Sequence, residues 1–301
     1  MITVFTPTYN RKRYLLRLYE NLKKQTSKDF EWLIVDDGST DDTKNSLNDI
    51  RSNKDFKITY VFKKNGGKHS AHNEAIKLCK TDFLLIVDSD DLLSNDAIEI
   101  LNKKCELIRN NDEVSGIIGN KGFIDKNQLI GDPMPNVTYT TGIELYQKMK
   151  FKGETLRLYK VSVLRMYPFP IVKGENFIPE NVVFDKIDLK YKMLVIHEVL
   201  YLCEYQEDGL SNNIVKLRSK NPGGYFLSLK STAETAVSLR TRIGVTILYI
   251  IWARYFKIKN SFKDFKRKIT YIICLPASYV FQILKWPAPF NMFKEVKKYE
   301  K

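Results

Sequence analysis

The first ninety residues alternate short apolar runs with longer stretches whose apolar positions recur three or four apart. The apolar runs are 2–6, 30–35, 58–62 and 83–87. Runs of this length without polar alternation are expected of strands covered on both faces, as in a parallel sheet. Leu15, Leu18 and Leu22 keep helical spacing and predict an amphipathic helix over about 13–25. A second helix is expected to end near 51, and a third to run from about 70 to 80. Pro7 is expected to stop the first strand. The order β-α-β-α-β-α-β specifies a doubly wound, mostly parallel α/β sheet with right-handed crossovers.

Beyond Leu92 the pattern is less regular. A helix is expected over 96–109 and a short one over 143–149. Strands are expected over 115–124, 137–141, 156–163 and 193–204. Pro168, Pro170, Gly174 and Pro179 mark an irregular loop between the last two. From about 211 the chain changes character. Asn221-Pro222-Gly223-Gly224 is expected to break it. The apolar segment 243–253 is bounded by Arg240, Arg242 and Arg254, and 269–284 carries no charge but contains Pro276. That run is shorter than the ~20 residues that span a bilayer. It predicts helices lying against a membrane interface, with Trp252, Trp286 and Tyr271 as anchors. The other possibility is a helical subdomain whose stripe packs on the preceding domain.

Charge sharpens this division. Of the net +14, residues 211–301 hold 18 Lys+Arg against 4 Asp+Glu, which is 18 − 4 = +14, and residues 1–210 balance to zero. A basic, aromatic tail suits an anionic partner, and its long uncharged run fits a membrane surface better than nucleic acid. The four cysteines lie far apart without a CxxC pair, so neither a zinc site nor a disulfide framework is expected. The N-terminus has no signal-peptide pattern, which predicts a cytoplasmic protein, peripheral on the inner face of the cell membrane.

The chemistry gathers at strand ends. The run 83–87 stops at Asp88-Ser89-Asp90-Asp91. Ligands of open α/β sheets bind outside the carboxyl ends of the strands. Three acids there call for a compensating cation, and Mn²⁺ or Mg²⁺ holding a phosphate-bearing ligand would supply it. The other strands end in Thr6-Pro7-Thr8-Tyr9-Asn10, in Val35-Asp36-Asp37-Gly38-Ser39, and in Asn65-Gly66-Gly67-Lys68-His69 leading to Asn73.

These four motifs, in this order, resemble the inverting family 2 glycosyltransferases, which have the GT-A fold. Asp88-Ser89-Asp90-Asp91 matches the family's DxD element. The likeness is strong over 1–110, looser to about 212, and does not cover the tail. It implies a GT-A catalytic domain over 1–212, with a nucleotide-binding half over 1–110 and an acceptor half over 111–212. A basic helical extension, membrane-associating, would follow over 213–301. The implied activity is metal-dependent transfer of one sugar from a nucleotide-sugar, a UDP-sugar by motif, to an acceptor hydroxyl. The tail points to a lipid-linked glycan acceptor in surface polysaccharide assembly.

The resemblance also implies roles. Pro7, Thr8 and Tyr9 would wall the base pocket. Asp37, with Asp36 close by, would accept a hydrogen bond from uracil. Lys68 would contact base or phosphates, and Asp88 with Ser89 the ribose or the metal. Asp90, with Asp91, would hold Mn²⁺ or Mg²⁺. Glu180, in Pro179-Glu180-Asn181, is the expected general base, with Glu175 and Asp185 as alternatives. Tyr205-Gln206-Glu207-Asp208-Gly209-Leu210-Ser211 resembles a closing motif of many relatives. Gln282-Ile283-Leu284-Lys285-Trp286 only approaches the QxxRW motif of processive synthases, so nonprocessive transfer is expected. A nucleotidyltransferase would want a glycine-rich loop after the first strand, and 6–10 has no glycine. A noncatalytic membrane adaptor would have no reason to retain these acids.

Overall fold

The computed structural model describes residues 1–47, 50, 55–124, 128–204 and 214–284. Two compact units divide the chain: Met1–Phe169 with Lys190–Tyr205, and Pro170–Leu189 with Gln206–Lys301. The second unit thus includes a segment from within the expected 1–212 domain.

The first unit is built on one sheet. Its leading strands are β1 (Ile2–Thr8), β2 (Phe30–Asp36), β3 (Lys57–Phe62) and β4 (Phe83–Ile86), in the parallel order β3-β2-β1-β4. The sheet continues through β8 (Thr155–Lys160), β6 (Val114–Phe123), β9 (Lys192–Cys203) and β5 (Leu92–Leu93), with β7 (Tyr139–Thr140) paired to β9. Among the described strands, β5, β7 and β8 run against the rest, so the expected mostly parallel α/β sheet is present. Every residue of β1 and β2 is buried, as predicted for strands covered on both faces. Helix α1 (Lys12–Lys23) buries Leu15, Leu18 and Leu22 in the same core as Trp32, Ile34 and Leu85. Helices α3 (Lys68–Leu78), α4 (Ala97–Ile108) and α5 (Val161–Met166) complete the layers.

Several expectations change. Pro7 does not stop β1, which pairs with β2 through Thr8. The Phe5 carbonyl faces β4, accepting from Val87 at 2.9 Å, so the nitrogen two residues on faces β4 as well. The β4 ladder ends at Ile86, opposite Phe5, so no bond is lost at Pro7. The strand expected over 156–163 ends at Lys160. Val161, Val163 and Leu164 are buried instead on α5, since a short apolar run does not distinguish strand from helix. Between β2 and β3 the α-helix among the described residues is the short α2 (Thr43–Ser46), and 48–49 and 51–54 lie outside them.

The second unit has its own core. Helix α6 (Asn181–Asp188), which the loop-like flanks of this segment concealed, packs on α8 (Pro222–Thr235). Helices α7 (Ile214–Lys220), α9 (Leu239–Tyr255), α10 (Ser261–Asp264) and α11 (Lys268–Ile283) follow. Asn221-Pro222-Gly223-Gly224 does not merely interrupt the chain. It opens α8, where proline in the first turn gives up no helical hydrogen bond. Trp252 and Tyr271, expected as membrane anchors, are buried with Tyr225, Phe226, Tyr249 and Phe265, and Trp252 donates to the Pro222 carbonyl at 2.9 Å. Trp286 and the segment 205–211 lie outside the described residues, as does the end of 282–286.

Candidate active site

Parallel registry brings the four motifs to one edge. Thr8 stands beside Asp36, Asp36 beside Phe62, and Phe5 beside Ile86, so the loops after β1, β2, β3 and β4 leave the sheet together. Pro7 and Thr8 are buried and Tyr9 is 48% exposed, an open ring at the mouth. The Thr8 hydroxyl is buried with no partner among the described residues. Asn10 adopts a left-handed backbone (φ 53°) and ties its loop to the next. Its side-chain oxygen accepts from the Thr40 N–H at 2.8 Å, and its own N–H donates to Ser39 Oγ at 2.8 Å.

The two acids after β2 face inward. Asp36 is fully buried and accepts from the Ser39 N–H at 2.8 Å and the Tyr60 hydroxyl at 2.6 Å. Asp37 receives Lys63 Nζ at 2.6 Å, the Gly66 N–H at 2.9 Å and the Gly67 N–H at 2.6 Å. Both carboxylates are therefore committed to partners within the protein, Asp36 in its own loop and on β3, Asp37 in the loop after β3. Asp37 clamps the 65–70 loop, and a direct hydrogen bond to a base would compete with that clamp. Gly38 between the loops is obligatory for two reasons. Its φ is +86°, and a Cβ there would stand 2.7 Å from the Asn65 nitrogen.

Lys68 and Asp88 meet across the mouth. Lys68 Nζ lies 2.8 Å from Asp88 Oδ1 and 3.1 Å from Oδ2, with both side chains about a third exposed (31% and 34%). Burial works to raise the Asp88 pKa, but Lys68 and Lys121 outweigh it and hold the carboxyl below its ordinary range. Burial raises Asp90, and the Asp88 charge raises it further. Ser89 is buried between them.

Asp91 departs from the expected metal role. It is buried, accepts the Tyr201 hydroxyl at 2.8 Å, and has Lys121 Nζ at 3.7 Å. Burial pushes its pKa up to about 6. Its carboxylate faces the protein, so it braces the acidic turn. Tyr201 completes the brace by accepting the Asp88 N–H at 2.9 Å. Lys121 also lies over the Tyr201 ring, 4.2 Å from its centre. Tyr201 on β9 and Lys121 on β6 escaped the sequence reading, as did Lys63. No motif marks them, and only the strand order brings them in.

The donor set suits a divalent ion. Among the described residues no three His, Cys, Asp or Glu side chains converge into a cage. Mg²⁺ and Mn²⁺ bound with phosphates need only one or two carboxylates, and the partly open Asp88 and desolvated Asp90 fit that requirement.

The remaining acids belong to the second unit. Glu175 accepts the N–H groups of Gly223 and Gly224, both at 2.7 Å, at the start of α8. Asp185 accepts Ser231 Oγ at 3.0 Å and Asn181 Nδ2 at 3.3 Å between α6 and α8. Both alternatives for the base are thus structural acceptors. Glu180 is exposed at the N-terminus of α6 and makes no side-chain capping bond there.

Comparison with known proteins agrees with this geometry. The chain is 38% identical over 100 residues to a chondroitin synthase of Escherichia coli, covering 33% of this chain and 14% of that one. It is 26% identical over 226 residues to the glycosyltransferase GlyA of Streptococcus pneumoniae, covering 70% and 31%. It therefore spans less than a third of either curated relative. Among solved structures, TarS 1-349 of S. aureus with UDP-GlcNAc superposes with a TM-score of 0.60 at 18% identity, over 92% of this chain and 80% of that one. The mannosyltransferase PcManGT of Pyrobaculum calidifontis, with GDP-Man and Mn2+, gives 0.54 at 18%, over 95% and 87%. At such identities these likenesses establish the shared fold. The match to the sequence family described as Glycosyl transferase family 2 covers residues 3–167, more than half of the chain, and together with the GT-A sheet it makes this protein an enzyme of that family.

Proposed function

We propose that the enzyme is inverting and metal-dependent, and transfers one sugar from a UDP-sugar to the hydroxyl of a lipid-linked glycan during surface polysaccharide assembly. The observation that carries this reading is the common sheet edge where Tyr9, Lys68, Asp88 and Asp90 meet. Solved relatives of the same fold were obtained with UDP-GlcNAc and with GDP-Man and Mn2+, which supports a nucleoside diphospho-sugar as donor. The 1–110 half binds the nucleotide. Tyr9 offers a ring to the base, and Asp37 shapes the pocket by clamping the 65–70 loop. Asp88 and Asp90 would hold Mn²⁺ or Mg²⁺, which would stabilise charge on the departing diphosphate. Lys68 turns from Asp88 toward the phosphates.

In a single displacement the acceptor oxygen bonds to the anomeric carbon as the bond from that carbon to phosphate breaks. Glu180 takes the hydroxyl proton. That assignment rests on Pro179-Glu180-Asn181, and the commitment of Glu175 and Asp185 to helix contacts favours it. No helix among the described residues is long and apolar enough to cross a membrane. A peripheral location on the inner, cytoplasmic face of the membrane accords with the basic tail.

The test is release of nucleoside diphosphate by purified protein with Mn²⁺ across a panel of nucleotide-sugars. Asp90→Asn should lose metal-dependent UDP affinity. Glu180→Gln should keep UDP affinity and lose about 10²–10⁴ in transfer rate. No turnover with any donor, together with wild-type UDP affinity in Asp90→Ala, sinks the reading.

A further inference from the structure

Helix α11 is built inside out. Its inward positions are Tyr271, Cys274 and Ser278. Its outward positions are Ile269, Ile272, Ile273, Val280, Ile283 and Leu284, with Ile269 76% and Ile283 77% exposed. At ~100° per residue the outward set, with Pro276 and Tyr279, occupies one arc of about 140°. A helix folded against water places polar residues on such an arc. This one places none there, and 269–284 holds no charged residue at all.

The surroundings are basic. Lys263, Lys266, Arg267 and Lys268 lead directly into the helix. Arg254 of α9 lies over the Tyr279 ring, 3.9 Å from its centre, at the edge of the arc. The acids near this end are Asp264 and Glu234, and Glu234 accepts the Lys266 N–H at 2.7 Å. Sixteen residues of helix measure about 24 Å, too short to cross a bilayer and long enough to lie along its surface. A second copy is a poor occupant, because pairing these faces would bring two strongly basic segments together.

We propose that the outward face of α11 inserts into the interface of an anionic bilayer, with the basic residues before it among the lipid headgroups. The proposal deepens the peripheral location proposed above and gives it one face. It needs no turnover, so the two fail separately.

The experiment is flotation of the full chain with vesicles of phosphatidylcholine alone, or with one quarter phosphatidylglycerol. Partition onto the anionic vesicles should exceed that onto neutral ones by about tenfold or more, and should fall as salt rises. The double variant Ile272→Asp, Ile283→Asp should lose about tenfold or more of that partition while keeping the wild-type circular dichroism and thermal midpoint. Lys263→Glu with Lys266→Glu should lose the preference for anionic lipid. Three outcomes overturn the proposal: wild-type protein that ignores both vesicles, an Ile→Asp variant that floats as well as wild type, or a dimer in light scattering that the same variant dissociates. Vesicle binding without sugar transfer leaves the proposal standing and counts only against the transfer reading.

Discussion

Lys68 touches both oxygens of Asp88, so it competes for the carboxylate that a divalent ion would use. Lys68→Ala should weaken UDP binding by about tenfold, the worth of one charge-assisted contact, and steepen its dependence on Mn²⁺. Calorimetric titration at several Mn²⁺ concentrations reads both effects. His69, at the start of α3, offers a second test. It is buried, and burial holds its pKa below the ordinary value. Protonation then favours the unfolded chain. The stability this group contributes is complete above about pH 6.5 and is lost as pH falls toward the folded-state value. The urea midpoint should therefore drop between pH 7.5 and 5.5, and His69→Phe should flatten that dependence.

At the scale of elements, the start of α8 depends on a carboxylate from a loop nearly fifty residues earlier. Glu175 satisfies two backbone donors that proline and two glycines cannot cap themselves. Glu175→Ala should destabilise the protein by about 1–3 kcal/mol, read from denaturant midpoints, without changing UDP affinity. The same region shows where sequence reading fell short. The strands of the parallel half were legible because each apolar run ends abruptly in polar residues. Helix α6 was not, because Pro179 and Gly174 announce a loop and the apolar positions 182–184 and 187 are too few to show a period. Leu92 and Leu93 of β5 gave no signal, since so short a strand is defined by its partner β9.

At the scale of the molecule, each unit has a separate hydrophobic core, one around Trp32 and one around Trp252. Ligand that binds the native state stabilises the part that binds it. UDP with Mn²⁺ should slow amide exchange along β1, β2 and β4 and leave α8 and α9 unchanged, as hydrogen-exchange mass spectrometry would register. The charge division along the chain was visible from residue counts alone. Which face of the tail carries the apolar surface was not, because 269–284 is apolar nearly all round and only folding selects the side that stays out. The candidate site was legible in the same partial way. Tyr9, Lys68, Asp88 and Asp90 announced themselves through motifs, whereas the inward turn of Asp91 depends on Lys121 of β6 and on Tyr201, 110 residues distant.

Tyr201 belongs to the twelve-residue strand β9, well beyond the 3–167 segment that carries the four strand-end motifs. A fragment trimmed to that segment would keep Tyr9, Lys68, Asp88 and Asp90 and lose the phenol that pins the acidic turn from behind. Such a fragment would look like a minimal transferase on paper. In solution its Asp88–Asp91 turn would lose that support, and a working fragment is expected to reach past Cys203.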